Sequence, residues 1–244
     1  MNKPLAPPVF TATQPIHYPE SDGAPMGETD FHITVILYLR QALRFLFRHA
    51  EQTYVAANMF FYYEEGNPAA VTAPDVFVVK GIPKHDRRIY KLWEEKVAPC
   101  TVFEITSRSS RLEDLGTKRA LYEMLGVKEY FLFDPLSEYL SPPLQGFERE
   151  EGLYRPLPLS AEGTLFSREL NIILKPEGSL LRVVNADTGE PLPTLDEAVE
   201  LAHQEMERAR LEAQRAEAEA QRAEAAEAEA ARLRAELERL RRQH

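Results

Sequence analysis

Cys100–Thr106 reads CTVFEIT, and the fold turns on Glu104, the one charged residue in that run. Valine, phenylalanine, isoleucine and threonine suit a pleated strand. A carboxylate inside such a strand is costly to bury without a partner, so Glu104 calls for partners from neighbouring elements. Upstream, Pro74–Lys80 reads PDVFVVK, a second apolar strand that Asp75 opens. Downstream, the spacing predicts a helix from about Arg111 to Leu125, stopped by Gly126 at the position past its end. Lys118 and Tyr122 lie one turn apart on one face of that helix. Glu129–Phe133 (EYFLF) is the next strand, ended by Asp134–Pro135.

Working outward, a helix is expected to start near Glu28–Thr29–Asp30, with Thr29 or Asp30 as its cap. Val35, Leu39, Ala42, Leu43 and Leu46 fall on its inner face, and Arg40, Arg44 and Arg48 form a stripe on the other. That stripe reads as a solvated face. Tyr54–Tyr63 is aromatic and β-rich, and Gly81–Ala98, which contains Trp93, reads as a loop or irregular excursion. The order helix, strand, strand, strand, helix, strand argues for an α/β fold with a mixed sheet flanked by helices. From about residue 137 short β segments take over, at Leu144–Arg149, Tyr154–Leu157, Asn171–Leu174 and Leu180–Asn185. They suggest a β-rich extension packed on the same domain.

Three regions follow: a proline-rich extended arm over 1–27, a domain over 28–193, and a charged helix over 194–244. Thr194 and Glu197 have capping-box spacing. Met206, Ala209, Ala213, Ala216, Ala220 and Ala223 make a heptad seam, which Ala226, Ala230, Leu233, Leu237 and Leu240 continue after a three-residue step. Alanine buries little area, so the coiled coil is weak except at its leucine end. Homo-oligomerisation through residues 200–244 is expected, with a single solvated helix held by Glu–Arg pairs as the alternative.

The single cysteine, Cys100, excludes an internal disulfide framework and fits a reducing, cytoplasmic setting. No apolar run is long enough for a membrane span, and the N-terminus lacks the apolar core of a signal peptide. Net charge is −10, and residues 201–244 hold 10 acidic and 9 basic side chains, so nearly all of it lies in the first 200 residues. An acidic domain binds duplex DNA weakly in the absence of local basic surface.

Asp75 and Glu104, on neighbouring strands, can converge on one side of a sheet. Their hard oxygens suit Mg²⁺ or Mn²⁺ held with waters and a substrate phosphate. A nearby lysine can orient the attacking water or neutralise developing charge. Each residue alone is ordinary: aspartate after proline suits a strand start, and a mid-helix lysine suits the surface. The order and spacing across the strand–strand–helix unit carry the reading.

Asn58–Tyr62, Pro74–Val79, Trp93–Glu95, Phe103–Ser107 and Gly126–Phe131 run in the order seen in the Uma-two family of restriction endonucleases, within the PD-(D/E)XK nuclease superfamily, and the resemblance spans roughly residues 28–135. It implies a restriction-endonuclease-like fold and Mg²⁺-dependent cleavage of DNA. Asp75 resembles the metal-binding aspartate of the Pro-Asp element, and Glu104 the acid of the (D/E)-X-K element. Thr106 stands where that element has its lysine, and Lys118 is the candidate for a lysine relocated to the next helix. Glu28 resembles the further metal-binding acid that some relatives carry on the first helix. His32, Ser107, Ser109 and Tyr122 are candidate supporting groups. Two rivals stand beside the nuclease. One is a catalytically inactive nuclease fold that works as an interaction module through its tail; the other is a hydrolase of a different phosphate ester.

Overall fold

The computed structural model describes residues 16–21, 23 and 29–242. Two compact units divide between Leu192 and Pro193. In the first, α1 (Asp30–Leu46) starts at Thr29, whose hydroxyl accepts from the N–H of His32, as an N-cap does. Glu28 lies outside the described residues. The inner face of α1, with Val35, Leu39, Ala42 and Leu43, is buried.

The Tyr54–Tyr63 run divides into β1 (Thr53–Ala57) and β2 (Phe61–Tyr62), separated at Asn58, whose φ of 47° ends the first strand. Asparagine tolerates that left-handed conformation better than most side chains. Next come β3 (Val71–Thr72), β4 (Val76–Lys80) and β5 (Tyr90–Lys91), followed by the short α2 (Leu92–Glu95) and β6 (Thr101–Ile105). Gly81–Ala98 is thus not wholly a loop: β5 pairs in parallel with β2. The helix expected from Arg111 is a π turn over Glu113–Thr117 that leads into α3 (Lys118–Leu125), with Gly126 at φ 81° closing it. Then β7 (Glu129–Phe133) follows.

Two more strands, β8 (Leu144–Glu150) and β9 (Leu153–Pro156), complete a six-stranded mixed sheet in the order β1-β4-β6-β7-β8-β9. Only β6 and β7 run parallel; the other neighbours are antiparallel. The β-rich extension therefore splits. Its first two strands join the main sheet, while β10 (Leu165–Ser167), β11 (Ile172–Glu177) and β12 (Leu180–Asn185) form a small sheet of their own. Strand β10 had no sequence signal of its own.

The apolar core has two layers, one on each face of the main sheet. Phe103, Ile105, Phe131 and Phe133 pack with α1 and the small sheet, whereas Val102, Tyr130 and Leu132 pack with Tyr122 of α3. Alternation along β6 places Glu104 with the second set. The Tyr38 hydroxyl on α1 donates to the carbonyl of Leu192 at 2.9 Å and accepts from the N–H of Val183 at 3.0 Å, which ties the small sheet to the helix.

The second unit is α4, a single helix over Leu195–Arg241. Thr194 and Glu197 form the expected reciprocal capping box, with bonds of 3.2 and 2.7 Å. Leu233, Leu237 and Leu240 are each more than half exposed. Among the described residues no helix is long and apolar enough to cross a membrane.

Candidate active site

Strand register brings the two sequence-singled carboxylates together. Val76 pairs with Phe103 across the antiparallel β4–β6 ladder, so Asp75 and Glu104 are the next cross-strand neighbours. Asp75 Oδ2 accepts the N–H of Ile105 at 2.6 Å, which anchors that carboxylate against the partner strand. The same oxygen lies 3.3 Å from Nε2 of His32, delivered by the first turn of α1.

Glu104 is fully buried. Its Oε2 is 2.9 Å from Nζ of Lys118 and its Oε1 accepts from the Tyr122 hydroxyl at 2.7 Å. Tyr122 in turn lies 3.3 Å from the Thr72 hydroxyl. Asp75, Glu104, Lys118 and Tyr122 thus fall into one connected cluster.

Lys118 also meets Asp114, with Nζ 3.0 Å from Oδ1. Asp114 is fully buried, receives the Ser110 hydroxyl at 2.7 Å on Oδ2, and carries the Tyr130 hydroxyl on its carbonyl at 2.9 Å. Asp114 is not among the residues that the sequence singles out. The available signal was its position four residues before Lys118, which places the two side chains together on a helix. Ser107 and Ser109 sit further out, bonded to each other at 3.0 Å, with Ser107 3.2 Å from Ser110. Ser107 therefore reaches the cluster only through Ser110 and Asp114.

The electrostatics follow from three acids around one cation. Burial, and then the nearby Asp75 carboxylate, push the Glu104 carboxyl up to about 8, against the opposing pull of Lys118. Lys118 moves the other way from a normal buried lysine: Glu104 and Asp114 outweigh its desolvation and hold it protonated well above its ordinary range. Burial and the Glu104 carboxylate likewise raise the Tyr122 phenol far above its usual value, so it stays a donor.

Thr106 is buried beside the cluster, and its hydroxyl has no hydrogen-bond partner among the described residues. It lines a cavity of about 510 Å³ together with His32, Ser107, Arg108 and Asp134. A threonine there cannot supply the positive charge of a lysine; Lys118 brings that charge from α3 instead.

The donor set suits a hard divalent cation: two carboxylates that are cross-strand neighbours, with the proton on Glu104 favoured by burial and by Asp75. Among the described residues no three His, Cys, Asp or Glu side chains converge on one metal position. Mg²⁺ does not require that, since one or two carboxylates with waters and substrate phosphate are its usual complement.

A mixed sheet with helices on its faces and acids at the ends of adjacent central strands is a restriction-endonuclease-like fold. The model of the Uma2 family, described as "Putative restriction endonuclease", matches residues 13–173, and the chain belongs to that family. A solved structure similar to it is that of a putative nuclease belonging to DUF820 from Anabaena variabilis, at 12% identity and a TM-score of 0.44, covering 60% of this chain and 76% of that one. No curated protein matches the chain.

Proposed function

We propose that this protein is a Mg²⁺- or Mn²⁺-dependent endonuclease that hydrolyses phosphodiester bonds in DNA, with Asp75 and Glu104 as metal ligands. The observation that carries the reading is Glu104: fully buried, cross-strand from Asp75 and held 2.9 Å from Lys118. A divalent ion at such a site lowers the pKa of a bound water and stabilises charge on the phosphoryl group.

The chain's own residues divide the remaining work. Lys118 is held protonated by two carboxylates, so it acts as an electrostatic partner for developing phosphate charge and not as a general base. Asp114 positions Lys118, and Tyr122 orients Glu104 by donating to Oε1. His32 steadies Asp75 from the side of α1. DNA as substrate rests on the family's description, and the exposed leucines of α4 support self-association through the tail.

The test is divalent-ion titration by calorimetry on wild type and Glu104→Ala, paired with plasmid nicking in Mg²⁺ and Mn²⁺. Binding lost in the variant, with nicking by wild type alone, is the expected result. Absence of metal binding by the wild-type protein would overturn the reading and direct attention to the helical tail.

A further inference from the structure

A groove of about 480 Å³ runs along β1, the edge strand of the main sheet, outside the carboxylate cluster. Arg40 and Arg44 of α1, Arg48 just past its end, and Lys84 and Arg87 line it. Asp86 is the one acidic residue of its lining, in a chain of net charge −10.

Most of that positive charge is uncompensated. Arg87 is bound to Glu95 at 2.6 Å and lies over the Tyr54 ring, so it serves as wall material. Arg48 donates to the Phe45 carbonyl, and Lys84 to the carbonyls of Phe47 and Arg48. Arg40 and Arg44 make no ion pair among the described residues. Like charges four residues apart on a helix are destabilising, so Arg40 and Arg44, without acids beside them, cost the free protein stability. An anionic ligand would relieve that cost.

Spacing suggests which anion. Arg40 and Arg44 are four residues apart on α1, about 6 Å at 1.5 Å per residue, and Arg48 follows two residues past the helix end. The helical pair thus spans close to two phosphate repeats of about 3.4 Å on one nucleic-acid strand. The groove also leads to the site. Ala57, in its floor, pairs with Val76, and the N–H of the next residue, Asn58, bonds to the carbonyl of Asp75 at 3.2 Å.

We infer that this groove is the track for the sugar–phosphate backbone of the DNA substrate and guides it towards Asp75. The identity of the polyanion as DNA rests on the nuclease reading above; the anion site itself does not. The stripe that reads from sequence as a solvated face is thus assigned a ligand.

The test is anisotropy of a short fluorescein-labelled duplex bound to the full chain in EDTA, as a function of salt. Four free cations predict a log–log salt slope of about −3.6, a loss of roughly 150-fold between 50 and 200 mM salt. In R40Q/R44Q the slope falls to about −1.8, a loss of roughly 12-fold. R40K/R44K, which keeps the charges, retains the wild-type slope, and so does R149Q/R155Q on the opposite edge of the sheet. An unchanged slope in R40Q/R44Q, an equal fall in R149Q/R155Q, or no binding by wild type overturns the inference. Plasmid nicking by the same proteins separates the two readings. Nicking with an unaltered slope refutes the groove alone, and a reduced slope without nicking supports the groove while refuting the nuclease.

Discussion

Replacing Glu104 by glutamine in metal-free protein isolates the tension built into the site. Burial and Asp75 disfavour the ionised carboxylate, while Lys118 at 2.9 Å favours it, and the balance raises the carboxyl from 4.5 to about 8. A folded-state acid with a raised pKa binds its proton more tightly than the unfolded chain does. Its stabilising contribution is therefore complete below about pH 4.5 and is lost as pH rises towards 8. The slope within that window is about 1 kcal/mol per pH unit, or about 3–5 kcal/mol across all of it. Glutamine removes the titration and retains the bonds: its oxygen accepts from Lys118, its amide donates to Tyr122, and the Tyr122 hydroxyl turns to Thr72.

The assay is urea unfolding of wild type and Glu104→Gln with chelator at several pH values from 5 to 8, read as the difference in unfolding free energy. Glu129 is also raised by burial, but it is common to both proteins and cancels. Wild type is expected to lose stability relative to the variant steadily as pH rises, by a few kcal/mol in total. A flat difference would refute the reasoning, because it would mean that Lys118 keeps Glu104 ionised throughout.

Lys118→Met leaves Glu104 and Asp114 buried without their cation, and is expected to cost about 3–5 kcal/mol at neutral pH, with nicking abolished; chemical denaturation beside the nicking assay checks both. Glu129→Gln should cost about 2–3 kcal/mol in the same denaturation assay. Its carboxylate accepts from the hydroxyls of Thr101 and Ser167 and from the N–H groups of Arg168 and Glu169, and an amide turns a donor towards two of those four. Gly146→Ala would set a Cβ 2.7 Å from Leu165 and 2.9 Å from the Phe131 ring, an overpacking expected to cost about 1–3 kcal/mol and to lower Tm. Serine at Leu233, Leu237 and Leu240 is expected to convert an oligomer into monomer, followed by sedimentation; an unchanged mass in both proteins would refute pairing through the leucine end of α4.

What could be read from sequence was what strand and helix periodicity encode directly. Glu129–Phe133 and Leu180–Asn185 appear with their expected bounds, as does the Thr194 capping box. Each combines a clear pattern with a local terminator. The small sheet was harder because β10 is only three residues long, and its place depends on Glu129 binding the Ser167–Glu169 turn from 38 to 40 residues away. No window along the chain contains that contact. Asp114 differs: its spacing of four from Lys118 is legible in the sequence, but its full burial depends on contacts outside that window.

Why a helix can supply what the strand lacks follows from the geometry of β6. Residues two apart on a strand share a face; Thr106 directly follows β6, two residues after Glu104, so a lysine at 106 would extend from the strand's own end. Here that position holds a buried hydroxyl without a partner. Helix α3 crosses the same face, and its first residue, Lys118, delivers Nζ to Glu104 from the side. A strand lysine would be oriented by its own backbone, whereas a long side chain reaching in from a helix needs a second anchor to limit its rotamers. Asp114 provides that anchor at 3.0 Å, four residues before the lysine. Lys118 and Asp114 are therefore held as one pair. Glu104 and Asp114 thus share one ammonium group, with the Asp75 carboxylate nearby.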